Sequence, residues 1–331
     1  MATRKSTGTT PSERLLTRLC EESFLGFWSY ANTFREQGGP KELCDLLVVC
    51  GDHVILFSDK SCEFPDSGEL TRDWARWYRR AIHKSAIQVF TAERWIRKHP
   101  ERVYLDNKCE HELPISFPAS DQCRFHRIVV AHGASERGKG AIGGTGSLHL
   151  TPSIASGAHF ASNKFDLTPF HVGTVVPGKP LVHVFDNFTL PLVLKELDTI
   201  SDFVAYLDFK EGLFDTNKVG TIAGEENLLA LYLSKFIHTD DWKGLLKEAT
   251  DGAVLDVGGD AWQLYEDSEP HRGKKEACRA SYVWDNIIKD FAEHAFGGTL
   301  VPEGTQTVGD NEAIFRCMAK ESRVLSINSQ P

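Results

Sequence analysis

Apolar positions over the first 130 residues switch between helical and strand spacing. Thr10-Pro11-Ser12-Glu13 has the form of a helix start, with Thr10 as N-cap, Pro11 at the first helical position and Glu13 closing a capping box. Leu15, Leu16 and Leu19 then give that helix one apolar face. The aromatic run Phe24 to Tyr30 reads as a short strand, and Gln37-Gly38-Gly39-Pro40 as a turn. Leu43 to Val49 and Val54 to Phe57 flank Gly51-Asp52, which predicts a β-hairpin whose second strand ends in Ser58-Asp59-Lys60. After a loop at 61–70, residues 71–98 carry Trp74, Trp77, Tyr78, Ala81, Ile82 and further apolar residues at helical spacing, and Pro100 stops the helix. Arg102 to Leu105 and Phe125 to Ala131 read as strands. The predicted order is α-β-β-β-α-β-β.

Beyond residue 132 the pattern changes. The glycine-rich segment 133–147 predicts a loop. Short strands are expected at Ser147 to Leu150 and Leu181 to Phe185, and helices at 190–210, 224–238, 272–296 and 310–325. The expected architecture is therefore α/β, with a core over 1–132 and a mainly helical α+β accessory region over 148–331. The last helix has no clear stop signal, so the chain reads as a fragment of something longer.

Composition narrows the class. The 331 residues are 41% hydrophobic and 25% charged, enough for a sizeable core and unlike a disordered or coiled-coil chain. No run approaches 18 apolar residues and the polar N-terminus lacks a secretory h-region, so the expectation is a cytoplasmic protein with no membrane partner. The eight cysteines form no CxxC pair and no zinc-type spacing, and read as reduced, buried thiols. The net charge of −9 is unevenly spread. Residues 1–132 hold 19 Lys+Arg against 18 Asp+Glu, whereas the remainder holds 18 against 28. The acidity of the whole therefore does not exclude a nucleic-acid substrate for the first part.

The chemistry worth following lies on the hairpin. Asp45 is on its first strand and Asp59-Lys60 at the end of its second, so paired strands bring the two carboxylates to one edge. Glu42 precedes Asp45, and Glu13 sits on the preceding helix. Convergent carboxylates form a hard oxygen site suited to Mg²⁺ or Mn²⁺. Such an ion polarises a phosphodiester and lowers the pKa of its bound water, and a lysine beside it orients that water. On these residues and this order, the segment at about 10–132 resembles the PD-(D/E)XK, restriction-endonuclease-like nucleases, the Mrr and NERD types above all. The resemblance rests on Glu13, then Asp45-Leu46-Leu47-Val48-Val49, then Gly51-Asp52, then Val54 to Lys60. It implies an αβββαββ nuclease core, with Asp45, Asp59, Glu13 and Glu42 as metal ligands and Lys60 as the group that positions water. One position departs from the pattern. The family's acid stands two residues before the lysine, where this chain has Ser58. On a regular strand Asp59 and Lys60 point to opposite faces, so Asp59 reaches a metal only where the strand twists or bulges.

The helix at 71–98 adds a basic stripe: Arg72, Arg76, Arg79, Arg80 and Lys84, a face that suits a phosphate backbone or is simply solvated. The resemblance also implies that this helix lends a polar residue to the site, with Gln88 the first candidate and Lys84 the second. Gly133 to Gly140 nearly matches a P-loop, but Gly140 replaces the hydroxyl residue that holds Mg²⁺. The expected function is metal-dependent hydrolysis of DNA, with RNA left open, in a setting of restriction or antiphage defence that the resemblance alone implies. Two rivals stand beside it: a catalytically degenerate nucleic-acid- or protein-binding module of the same fold, and a P-loop-like nucleotide switch. The acidic helical region is expected to serve a homodimer or protein contact.

Overall fold

A computed structural model of the chain describes residues 5–24, 26–160, 168–216, 218–236, 254–296 and 308–318. In chain order the helices are α1 (Pro11–Ser23), α2 (Leu70–Tyr78), α3 (Lys84–Lys98), α4 (Ser135–Ile142), α5 (Thr189–Glu196), α6 (Ile200–Asp215), α7 (Glu225–Leu231), α8 (Ala261–Glu266), α9 (Glu269–Phe296) and α10 (Val308–Met318). The strands are β1 (Ser29–Glu36), β2 (Pro40–Cys50), β3 (His53–Ser61), β4 (Val103–Tyr104), β5 (Arg124–His132), β6 (His149–Ala155), β7 (His171–Thr174), β8 (Val182–Phe185), β9 (Val219–Ile222) and β10 (Leu255–Val257).

Six strands form one mixed sheet in the order β4-β1-β2-β3-β5-β8. β1, β2 and β3 run antiparallel to one another, as the Gly51-Asp52 turn requires, with Gly51 at φ 61°. β3, β5 and β8 run parallel, the first crossover carrying the helical stretch from Leu70 to Lys98. The expected order α-β-β-β-α-β-β is thus present up to β5, with β4 only two residues long.

The capping box at α1 forms as the sequence dictates: the Thr10 hydroxyl accepts from Glu13 N–H while the Glu13 carboxylate accepts from Thr10 N–H. The helix expected at 71–98 is interrupted by a π-helical turn, Arg79–His83. That inserted residue rotates the apolar stripe. Before it, Trp74, Trp77 and Tyr78 pack with Phe170, Val172 and Val182; after it, Val89, Ala92 and Ile96 pack with Leu47, Val49 and Leu56.

Several expectations need correction. The strand expected at Phe24–Tyr30 begins only at Ser29 and runs to Glu36, because Phe24 and Trp28 are spent on the core beneath α1. The segment 133–147 is not all loop, since Ser135–Ile142 is helical and Lys139, inside that helix, pairs with Glu136 at 2.8 Å. The helix expected at 190–210 is two helices, because Thr199 caps a new start with its hydroxyl accepting from Asp202 N–H at 3.1 Å. The second part is less helical than expected: β6, β7, β9 and β10 form a four-stranded sheet of their own. Residues 237–238 and 319–325 of two predicted helices lie outside the described residues.

The boundary expected near 132–148 does not divide two cores. Leu16 and Cys20 of α1, Leu46 and Phe57 of the sheet, Leu194 of α5, Phe203 of α6 and Leu228 of α7 belong to one hydrophobic cluster. β8, from the second part, completes the first sheet. None of the eight cysteines is in a disulfide; Cys20, Cys44, Cys50, Cys62 and Cys278 are buried, whereas Cys109 and Cys123 are half-buried and Cys317 is exposed. Among the described residues no helix is long and apolar enough to cross a membrane.

Candidate active site

The site is built where β2 and β3 part. Their pairing extends to Leu46↔Phe57 and stops, while β3 continues against β5 as far as Ser61↔His132. The amide of Asp59 therefore points toward a strand that has left. The Asp45 carboxylate takes its place: Asp59 N–H donates to Asp45 Oδ2 at 2.6 Å. Both aspartates are buried, each 8% exposed.

On the other flank of β2, the pairs Ala31↔Leu46 and Thr33↔Cys44 leave Asn32 between them at φ 49°. Asparagine tolerates this left-handed conformation better than a branched residue would. The Asn32 amide donates to Glu13 Oε2 at 3.0 Å, drawing the start of α1 to the same corner. Burial alone would raise the Glu13 pKa. The Thr9 hydroxyl, the Asn32 amide and the backbone N–H groups of Thr9 and Thr10 outweigh it and hold Glu13 at about 2.

Asp45 shows the opposite balance. Burial raises it, the Asp59 amide lowers it, and the charges of Glu42, Glu13 and Asp59 raise it again, so that it titrates at about 7. Asp59 is held on its far side by His132, whose Nε2 lies 2.6 Å from Asp59 Oδ1. Asp59 Oδ2 is buried with no hydrogen-bond partner. Sequence reasoning did not single out His132 for this role. The available signal was its place on a parallel strand, one alternation beyond the residue opposite Asp59.

The other predicted residues fall elsewhere. β3 pairs with β5 without a register shift, so no bulge turns Asp59 and Lys60 to a common face. Ile55 and Phe57 face α1, as Asp59 does by alternation, while Val54 and Leu56 face α3. Ser58 follows that second set: its hydroxyl approaches Gln88 Oε1 on α3 at 3.4 Å. Lys60 lies on the α3 side, exposed. Gln88 is thus near Ser58 rather than the aspartates. Glu42 is exposed at the start of β2, close enough to act on Asp45 through its charge. Arg72, Arg76, Arg79, Arg80 and Lys84 are all exposed. Arg72 donates to the Ser67 hydroxyl and Arg79 to Phe160 O, leaving the stripe open to solvent around them.

Glu13, Asp45 and Asp59 are an all-oxygen donor set with a partnerless buried oxygen on Asp59, which fits a hard divalent cation better than zinc or copper. The set is open rather than tight. Among the described residues, two groups of three metal-ligating side chains have donor atoms within 4.8 Å of one another, and both lie elsewhere. An ion here would keep several waters, the ordinary habit of Mg²⁺. No protein-family model, curated protein or solved structure matches the chain.

Proposed function

We propose that the chain is a metal-dependent nuclease of the restriction-endonuclease-like type, acting on DNA phosphodiesters at the corner formed by α1, β2 and β3. The observation that carries this reading is the gathering of three buried carboxylates, Glu13, Asp45 and Asp59, where two strands part. Burial, and then the charges of Glu42, Glu13 and Asp59, raise the pKa of Asp45, and a bound cation would offset both. The order α1-β1-β2-β3-α-β5, with β3 and β5 parallel, supports the reading.

Asp45 and Asp59 would hold Mg²⁺ or Mn²⁺, with Glu13 on the α1 side and Glu42 adding negative potential. The ion would supply Lewis-acid polarisation of the phosphate and a water of lowered pKa. His132 fixes the Asp59 carboxylate. Lys60, on a flexible stem at the strand end, would reach round from the α3 side to meet the charge that develops on the phosphate. Arg76, Arg80 and Lys84 offer exposed cations to the rest of the backbone. A role in restriction or antiphage defence belongs to the same proposal.

One observation favours a second reading. Ser58 occupies the place of the acid, and Lys60 faces away from Asp59. On that reading the chain binds nucleic acid or a protein and does not cut. Incubation with single- and double-stranded DNA and with RNA, in Mg²⁺ or Mn²⁺, separates the two. The nuclease reading requires metal-dependent cleavage that Asp45→Ala and Lys60→Ala remove in folded protein. Binding without cleavage by the wild type would establish the second.

A further inference from the structure

A second cluster lies at the opposite end of the same strands. His126 is near the start of β5, His183 is on β8 and Glu211 is on α6. One nitrogen from each ring and one carboxylate oxygen lie within 4.8 Å of one another. His126 is 2% exposed and His183 is fully buried.

Their hydrogen bonding is incomplete. His126 Nε2 lies 3.0 Å from His53 Nδ1, and His183 Nε2 lies 3.3 Å from Glu211 Oε1. The Nδ1 atoms of both buried rings have no partner at all. Buried polar atoms are normally satisfied, and two orphan nitrogens on neighbouring strands need an explanation. When His126 donates through Nε2 to His53, its Nδ1 is left with a bare lone pair. A metal-bound histidine characteristically has this arrangement, its second nitrogen hydrogen-bonded to an orienting group.

The other such cluster, Asp106, Glu110 and His111, has a simpler account. Asp106 accepts from the backbone amides of Lys108, Glu110 and His111 and so closes an exposed loop. No comparable backbone role occupies His126 or His183.

The cations nearest the cluster each have a carboxylate partner. Arg127 is taken by Glu93, Lys210 by Glu225 and Arg124 by Asp208. His53 lines a cavity of about 310 Å³ together with Asp52, Arg124, Asp208 and Arg316, and Glu211 is partly exposed.

We infer that His126, His183 and Glu211 bind a zinc-type divalent ion, with His53 as the group that orients His126. Two imidazoles and one carboxylate suit Zn²⁺, and three protein ligands leave a fourth position for water. Tetrahedral ligands at about 2.0–2.1 Å from the ion stand about 3.4 Å apart. Binding therefore draws the three side chains inward and ties β5, β8 and α6 together. This site is independent of the carboxylate corner at Asp45.

The test uses the full-length, tag-free protein stripped with EDTA. Titration with Zn²⁺ is followed by calorimetry and by melting temperature, and titration with Co²⁺ by its visible absorption. One ion per chain is expected at low-micromolar or tighter Kd, with a rise in melting temperature and a tetrahedral Co²⁺ spectrum. Glu211→Gln and His126→Gln, checked for native circular dichroism, should each lose at least tenfold in affinity, and His53→Ala should lose about tenfold. Asp45→Asn should bind Zn²⁺ as the wild type does, so the outcome does not depend on the nuclease reading. Absence of saturable binding at 100 µM Zn²⁺, as the probe concentration, in folded wild type overturns the assignment. Binding unchanged in Glu211→Gln and His126→Gln overturns it too, since the ion then sits on surface histidines.

Discussion

Asp45 Oδ2 accepts the backbone N–H of Asp59 at 2.6 Å, so one candidate ligand holds the strand that carries the other. The bond fixes Asp45 in a buried place, among three like charges, where it titrates at about 7. An acid whose folded pKa lies above its unfolded value binds its proton more tightly when folded. Its contribution to stability is present below about pH 4 and is lost as pH rises to about 7. Without metal, urea denaturation of wild type and Asp45→Asn should therefore show the wild type losing ground to the variant across that window. The difference isolates Asp45, because histidines with lowered pKa values, such as His159 and His171, add stability as pH rises over the same range. Asp45→Asn lacks this component and should be more stable than the wild type at pH 8 by about 1–3 kcal/mol, a discounted share of the shift. Added Mg²⁺ should stabilise the wild type at pH 8 more than the variant. A difference between wild type and Asp45→Asn that is level between pH 4 and 7 in EDTA would contradict this account.

Lys60 separates function from fold unusually cleanly. It is exposed, and among the described residues it makes no ion pair. Lys60→Ala should leave stability within about 0.5 kcal/mol, as surface substitutions do. On the nuclease reading it should also lower the cleavage rate at least about 100-fold, the scale of losing one group that meets transition-state charge. Melting curves and single-turnover cleavage measure the two effects on the same sample.

The sheet was largely legible because its signals are local. Gly51-Asp52 between apolar runs specifies the hairpin, and Thr10 to Glu13 specifies the start of α1. β1 was misplaced because its polar members, Asn32 and Thr33, are buried by long-range contacts: Asn32 by Glu13 and Thr33 beside Cys44. The second sheet was missed for a related reason. β7, β9 and β10 span three or four residues each, too short for a period to register. At the site, Asp45 and Asp59 were found from strand pairing, whereas His132 and the His126–His183–Glu211 group depend on which strands lie side by side in parallel. Parallel neighbours are separated by long crossovers, and no local pattern announces them.

The ion pair between Glu93 on α3 and Arg127 on β5 is a second stress point. Arg127 Nε and Nη2 reach Glu93 Oε2 and Oε1 at 2.6 and 2.8 Å, and Arg97 joins from one turn away at 2.9 Å. Burial would raise Glu93, but Arg127 and then Arg97 outweigh it and leave its pKa lowered. The stability it contributes is present above its unfolded pKa of about 4.5 and is lost as pH falls through the lower folded value. Glu93→Gln strands a buried guanidinium and should cost about 3–5 kcal/mol. Glu93→Gln with Arg127→Met should recover most of that loss, because the stranded charge is then gone as well. Chemical denaturation of the single and double variants measures the recovery.

The glycine-rich segment after β5 gives a pair of substitutions with opposite signs. Gly133 has φ 99°, and a Cβ there would lie 2.0 Å from Cys62 O, so the end of β5 packs directly on the chain leaving β3. Gly140 is inside α4 with nothing within 4 Å of its would-be Cβ. Gly133→Ala combines a left-handed backbone with a clash against backbone and should destabilise by about 3 kcal/mol or more, beyond the range of ordinary substitutions. Gly140→Ala removes a poor helix former from an open helix position and should stabilise by about 0.5–1 kcal/mol. The same pair tests what the near-match to a P-loop means. If the segment is purely structural, Gly140→Ala raises the melting temperature and nucleotides shift neither protein. A nucleotide-dependent rise in the wild type that Gly140→Ala or Lys139→Ala abolishes would instead assign the segment to phosphate binding.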